Sequence, residues 1–371
     1  MATPERSETA GTSVKIDETE SISTPATGDE TARVSVIIPF NNAAATMAAT
    51  LESLSAADDP HLEVIAVDDC SDDESDAIVE RFGAKLIRLA ERSGAALARN
   101  RGAAEASGDL LLFLDADVAV QPDTIAKVRR FFADNPDGAA CFGSYTPLPA
   151  PTNFASVYKN LIHHYTHQQA DEAAHTFWAG CGAIRREAFD AVGGFDESYE
   201  ASSVEDIELG YRLTAEGYPI RLLKDLQVTH AKRYTLPSLV KSDVFDRAIP
   251  WTRLMAHTGT FYADLNLRWW NILSALVLAV VLPVGLIIAT ESPRTTIASC
   301  VLLAGGAYLL LNRGIFVFVA KTKGLPFTAG FVAMFAVTYA YSVLGLGLGL
   351  AAAARQSLRA RGEERTVASR S

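Results

Sequence analysis

From Val34 onward, short apolar runs rich in β-branched residues alternate with amphipathic segments, and this alternation restricts the chain more than any other feature. VSVIIP is followed by a helix-like stretch reaching Leu54, LEVIAVDD by a helix over Asp76 to Phe82, and GAALARNRGAAEA leads into DLLLFLDAD. Strand, helix and strand in succession make βαβ units, so the expected fold is α/β with a mostly parallel central sheet, over residues 33–250. In open sheets of this kind ligands gather at the carboxyl ends of the strands. Asp68-Asp69 and the Asp115–Asp117 pair both close such strands, which directs the two acidic clusters to one crevice.

Further along, the spacing predicts a helix near Pro122 to Phe132, a strand near Ala139 to Tyr145 and a long helix over Asn153 to Gln169. VEDIELGYRLTAEGY carries Val204, Ile207, Leu209 and Leu213 close to helical spacing, with Gly217 as its stop and its acidic residues in the first turn. The chain has no repeat of solenoid period.

The composition then changes. From Asn271 to Ala354 the runs are nearly free of charge, and NILSALVLAVVLPVGLIIAT is long enough to cross a bilayer. After a membrane-proximal linker over residues 251–270, three apolar segments are expected within 271–354: Asn271 to Thr290, Thr296 to Leu311 and Phe327 to Ala354. NRGIFVFVAKTKG, between the last two, suits a helix lying in the interface with Arg313, Lys321 and Lys323 at the headgroups. With a cytoplasmic catalytic domain, three spans leave the basic tail of residues 355–371 outside, against the positive-inside tendency; two spans and a re-entrant segment remove the conflict. The expected location is thus a multi-pass plasma (inner) membrane protein. Residues 1–32, rich in Ser, Thr and Glu, read as a disordered acidic tail rather than a secretory signal.

The net charge of -11 argues against a nucleic-acid partner. Cys70, Cys141, Cys181 and Cys300 are too scattered to suggest a zinc site or a disulfide framework. The chemistry points instead to LLLFLDAD, where an apolar strand delivers two carboxylates to one edge, a set that hard divalent cations such as Mg or Mn prefer. A helix N-cap at Asp117 or a solvated turn is the alternative.

Five segments, VSVIIPFNNAAATMAATLESL, EVIAVDDCSDDES, SGAALARNRGAAEASGDLLLFLDADV, AGCGAIRREAFDAVGGFDE and EDIELGYRL, resemble in order and spacing the motifs of family-2 glycosyltransferases. The resemblance covers about Val34 to His230 and implies a GT-A nucleotide-sugar-binding domain followed by an α-helical transmembrane region. It further implies a metal-dependent, inverting transfer of a sugar from a nucleotide-diphosphate donor to an acceptor held near the membrane, lipid or lipid-linked. A polyprenyl-phosphate sugar synthase and a non-catalytic nucleotide-sugar-binding membrane protein are the alternatives.

Carried over by position, the resemblance implies that Pro39, Asn42, Asp68 and Asp69 line the nucleoside pocket, that Arg99 and Asp115 approach the nucleotide, and that Asp115 and Asp117 hold the cation with His230 as a third ligand. Asp206, with Glu205 beside it, is implied as the base that deprotonates the acceptor hydroxyl; helix capping is the alternative. Gly180, Gly182 and Arg186 fall in the loop implied to lie beneath the donor sugar and acceptor. Two departures stand out: Asn41 replaces a frequent aromatic, and Cys70 a usual Gly. The processive QxxRW motif is absent, and Arg247, Trp251 and Arg253 of DRAIPWTR are assigned to the membrane surface. His163, His164 and His167 are expected on differing faces of their helix, solvated or packed rather than binding metal.

Overall fold

The computed structural model describes residues 32–57, 59–199, 203–262, 265, 268–288 and 294–368. The expected acidic tail lies outside them but for Ala32. The first half runs β1 (Val34–Phe40), α1 (Met47–Ser55), β2 (Leu62–Asp68), α2 (Ser75–Arg81), β3 (Lys85–Arg88), α3 (Ala95–Glu105), β4 (Leu110–Leu114), β5 (Val118–Ala119), α4 (Thr124–Asp134) and β6 (Ala140–Tyr145). There follow α5 (Phe154–Gln169), β7 (Ala173–Ala174), β8 (Cys181–Arg185), α6 (Arg186–Ala191), α7 (Glu205–Ala215) and β9 (Ile220–His230). Every residue of β1, β4 and β6 is buried, as expected of strands covered on both faces.

The sheet order is β3-β2-β1-β4-β8-β6-β9-β5, with β7 on β9. β1 to β4 form a parallel βαβ array, and β6 and β9 are also parallel, but β8 is antiparallel to both β4 and β6, and β5 and β7 are antiparallel to β9. The sheet is therefore mixed, not mostly parallel. The reversal has a local cause: the chain enters β8 at the edge where β4 leaves, so that Asp115 N–H donates to the Gly180 carbonyl. Pro39 is tolerated in this central strand because β1 pairs with β4 only as far as Ile37, so its missing N–H breaks no ladder bond on that side.

Beyond β9 a continuous helical run comprises α8 (Leu236–Asp243), a π-type turn at Val244–Ala248 and α9 (Ile249–Thr258). Then come α10 (Trp269–Leu276), a second π-type turn (Val277–Val281), α11 (Leu282–Ile288), α12 (Arg294–Leu311) and α13 (Arg313–Ala368), broken at Gly324, whose φ is 80°. Of the large apolar side chains exposed among the described residues, all but Leu148, Leu236, Phe245 and Phe261 lie at or beyond Trp269. Within α13, Arg313–Leu358 is the one helix among the described residues long and apolar enough to cross a membrane; the helices at Trp269–Val284 and Thr296–Leu311 are shorter. One helix of sufficient length does not support the multi-pass expectation, and by itself is a weak sign of membrane association.

The C-terminal helices are not hung on a free linker. Tyr158 and Leu161 of α5 and Leu239 of α8 share a buried cluster with Tyr308, Phe316, Val319, Phe331 and Phe335 of α12 and α13. Phe316, on the helix expected to lie in the membrane interface, therefore faces the protein. Polar links reinforce the seam: Tyr158 with Thr338, Thr338 with Tyr341, Tyr341 with Asp243, and Asp243 with Lys159.

Candidate active site

The acidic clusters converge as expected, because β1, β2 and β4 end at one edge and the reversed β8 begins there. Arg99 of α3 is the hub: buried, it donates from Nη1 to Glu205 Oε1 at 2.7 Å and from Nη2 to Asp115 Oδ1 at 3.1 Å. Burial works against its charge, but Glu205, Asp115 and Asp206 outweigh burial and hold its pKa above the ordinary value. Glu205 is buried as well, and its other oxygen accepts from Ser203 N–H at 2.7 Å. Both of its oxygens are committed.

Asp206 differs. Its contacts are backbone N–H groups, Ala179 at 3.2 Å on one oxygen and Ile207 at 2.8 Å on the other. Burial and the charge of Glu205 raise its pKa to about 6, against the pull of Arg99 and Arg247. Such a carboxyl exchanges a proton near neutrality.

Burial also pushes Asp115 and Asp117 above the ordinary carboxylate range, Asp117 adding its like charge at Asp115, while Arg99 and Lys232 oppose the rise at Asp115 and Lys232 that at Asp117. His230 Nε2 stands 3.7 Å from Asp117 Oδ1. Burial, with the Lys232 charge, depresses His230 to about 3, so the ring is neutral at ordinary pH. Two carboxylates beside a neutral imidazole offer ligands that suit a divalent cation. Among the described residues, however, no three His, Cys, Asp or Glu side chains are already gathered as a ligand set.

Asp68 and Asp69 are buried and serve their turns. Asp68 Oδ1 accepts from Ser71 N–H at 2.9 Å; the two oxygens of Asp69 accept from Ser93 and Gly94 N–H at 2.6 and 2.9 Å, fixing the start of α3. Asn42 is exposed at φ 55°, its Oδ1 accepting from Asp72 N–H. Asn41, in place of an aromatic, donates to the carbonyls of Asp69 and Cys70. Cys70 has φ 60°, which explains why glycine suits that position.

Around Gly180 and Gly182 the crowding comes from the loop itself. A Cβ at Gly180 would lie 2.5 Å from the Trp178 ring, and one at Gly182 2.4 Å from the Trp178 carbonyl oxygen. Arg186 does not belong to the crevice: its guanidinium donates to the carbonyls of Ala103, Ala106 and Gly108, closing the C-terminal end of α3.

Two sequence expectations need correction. The histidines of α5 do not face apart: His163 and His167, one turn apart, pack ring to ring at 4.0 Å, and Tyr145 lies between His163 and His230. His164 and His167 donate from Nδ1 to the carbonyls of Tyr145 and Gly143, and burial lowers the pKa of all three. They form a packed, neutral floor. Trp251 is likewise not at a membrane surface but buried with Val204, Tyr211 and Leu254, its Nε1 donating to Tyr211 Oη at 3.1 Å. Arg253 reaches Gln356 of α13. The spacing Val204, Tyr211, Trp251, Leu254 was available in the sequence as two apolar faces, but not their pairing.

Residues 35–193 match the profile of glycosyl transferase family 2, and residues 160–236 that of the N-terminal domain of galactosyltransferase. Residues 35–193 form a family-2 glycosyltransferase domain. The chain shares 40% identity over 107 residues with an uncharacterized glycosyltransferase of Haemophilus influenzae, covering 28% of this chain and 36% of that protein. Human polypeptide N-acetylgalactosaminyltransferase 3 is 29% identical over 235 residues, 55% of this chain and 37% of that protein. The chain thus spans little more than a third of the length of these relatives. The fold of the family-2 domain and its helices is similar to that of the Pyrobaculum calidifontis mannosyltransferase PcManGT, solved with GDP-Man and Mn2+, at TM-score 0.50 and 20% identity over 87% of this chain and 89% of that one. That likeness places the domain in the GT-A fold.

Proposed function

We propose that this chain is an inverting glycosyltransferase moving a sugar from a nucleotide-diphosphate donor to a lipid or lipid-linked acceptor at a membrane. The observation that carries this reading is the division of labour between adjacent carboxylates. Arg99 and Ser203 occupy Glu205, whereas Asp206, held by backbone N–H groups and raised to about 6, is the carboxylate able to change its protonation state.

The acceptor hydroxyl gives its proton to Asp206 as its oxygen bonds to the anomeric carbon; the bond from that carbon to the donor's diphosphate oxygen breaks on the opposite face, and the diphosphate leaves with the electron pair. Asp115 and Asp117, with His230 beside them, would hold a Mg or Mn ion, which would neutralise the charge of the leaving group. Glu205 keeps Arg99 charged and in place; Arg99 in turn orients Asp115. Pro39, Asn42, Asp68 and Asp69 shape the nucleoside end. The presence of GDP-Man and Mn2+ in the solved mannosyltransferase of similar fold supports this reading, as does the apolar surface of α10 to α13 for a membrane-held acceptor.

Asp206→Asn tests it. Turnover is expected to fall on the order of 10²-fold or more with donor affinity nearly unchanged, as for loss of a general base. Asn caps a helix as well as Asp, so near-normal turnover would return Asp206 to a structural role and favour a phosphate acceptor, which needs no base.

A further inference from the structure

We propose that Arg247 binds a phosphate group of a substrate inside the crevice, so that the helical run joining the domain to α13 supplies part of the binding site. The inference deepens, and rests on, the sugar-transfer reading. Arg247 lies in the π-type turn Val244–Ala248 and Trp251 follows it by four residues in the same continuous helix, so both side chains share a face. Trp251 is packed on Val204 and Tyr211, which bracket Glu205 and Asp206 on α7. One turn earlier, Arg247 is thereby aimed beside the first turn of α7.

What surrounds it supports that direction. The Arg247 charge is felt at Asp206 from α7, His163 and His167 from α5, Tyr145 at the end of β6 and Tyr234 after β9, and on its other side at the Lys159–Asp243 pair. Arg247 thus stands between the packed histidines and Asp206 on one side and the Lys159–Asp243 pair on the other. Two nearby cations are already matched, Arg99 to Glu205 and Asp115 and Lys159 to Asp243, and Lys232 lies over the Tyr234 ring. Arg247 is half-buried and has no ion pair or hydrogen bond among the described residues. A half-buried guanidinium with no carboxylate at ion-pair distance keeps its donors for an anion, and its planar fork matches phosphate oxygens. The position of its helix is set from the other side by α13, where Gly345 and Gly349 lie against Ala248 and Thr252.

Two substrates bring phosphate to this place: the donor's diphosphate and, for a phosphate-bearing acceptor, the lipid headgroup. The test uses the full chain in detergent, with calorimetric titration of UDP, GDP, ADP and dTDP, each with Mn2+, and separately of farnesyl phosphate. Arg247→Ala is expected to weaken binding of one of these probe classes by about tenfold or more, as for loss of charge-assisted hydrogen bonds. Arg247→Lys, which keeps charge but not the fork, recovers part. Arg253→Ala, a neighbour that faces Gln356, leaves binding unchanged. A loss confined to the nucleotides assigns Arg247 to the donor, and one confined to farnesyl phosphate assigns it to the acceptor. Unaltered binding of both classes by folded Arg247→Ala overturns the proposal while leaving the sugar-transfer reading intact. Failure of the unmodified chain to bind any probe overturns both.

Discussion

At the scale of residues, the active crevice depends on which carboxylates are spent and which are free. Because Asp206 must be ionised to accept a proton and its pKa is raised to about 6, the rate should fall about tenfold per pH unit below that value and level off above it. A rate profile from pH 5 to 8 checks this; a profile flat through pH 6 would separate Asp206 from the chemistry. A second prediction concerns Cys70, whose φ of 60° costs an L-residue about 1 kcal/mol. Cys70→Gly should therefore raise the melting temperature; a lowered one would mean that the Cys70 side chain contributes more than its strain removes. Arg99 and Asp206, both on helices, came only from the resemblance to family-2 glycosyltransferases, whereas Asp68, Asp69 and Asp115 were legible because a strand end shows where an apolar run meets a carboxylate. Arg186 was not: a basic residue after a small-residue loop reads as a ligand contact, and only the nearby end of α3 reveals that its donors satisfy helix carbonyls.

At the scale of elements, local periodicity sufficed for α1, α2, α4, α5, α7 and their strands, including the stop at Gly217, where φ is 80°. It could not give strand direction. β8 is apolar and short in either orientation, and its reversal is decided by where the preceding loop delivers it. Helix pairing was equally hidden, so that Trp251 suggested a headgroup when its partners were Val204 and Tyr211. The contact of α13 with α9 gives a prediction of two signs. A Cβ at Gly349 would stand 2.6 Å from Thr252 Cβ, whereas one at Gly347 meets nothing within 4 Å. Gly349→Ala should lower the melting temperature in detergent, while Gly347→Ala leaves it equal or higher, by up to about 1 kcal/mol of helix propensity. Equal effects of the two would show that this face of α13 is not packed as described.

At the scale of the whole molecule, a mixed-sheet GT-A domain and an apolar helical region share one buried seam, so the crevice has a set attitude toward the surface on which α10 to α13 expose their apolar side chains. The proposal of a membrane-associated transferase draws on that union, and its central claim is turnover. The most direct measurement is release of nucleoside diphosphate from a panel of nucleotide sugars by membranes from cells producing the chain, with and without Mn2+, against matched membranes carrying Asp206→Asn. The account predicts Mn2+-dependent release with at least one donor that is lost in the variant. Binding of a donor without release in either membrane would contradict it and leave a nucleotide-sugar-binding protein in its place.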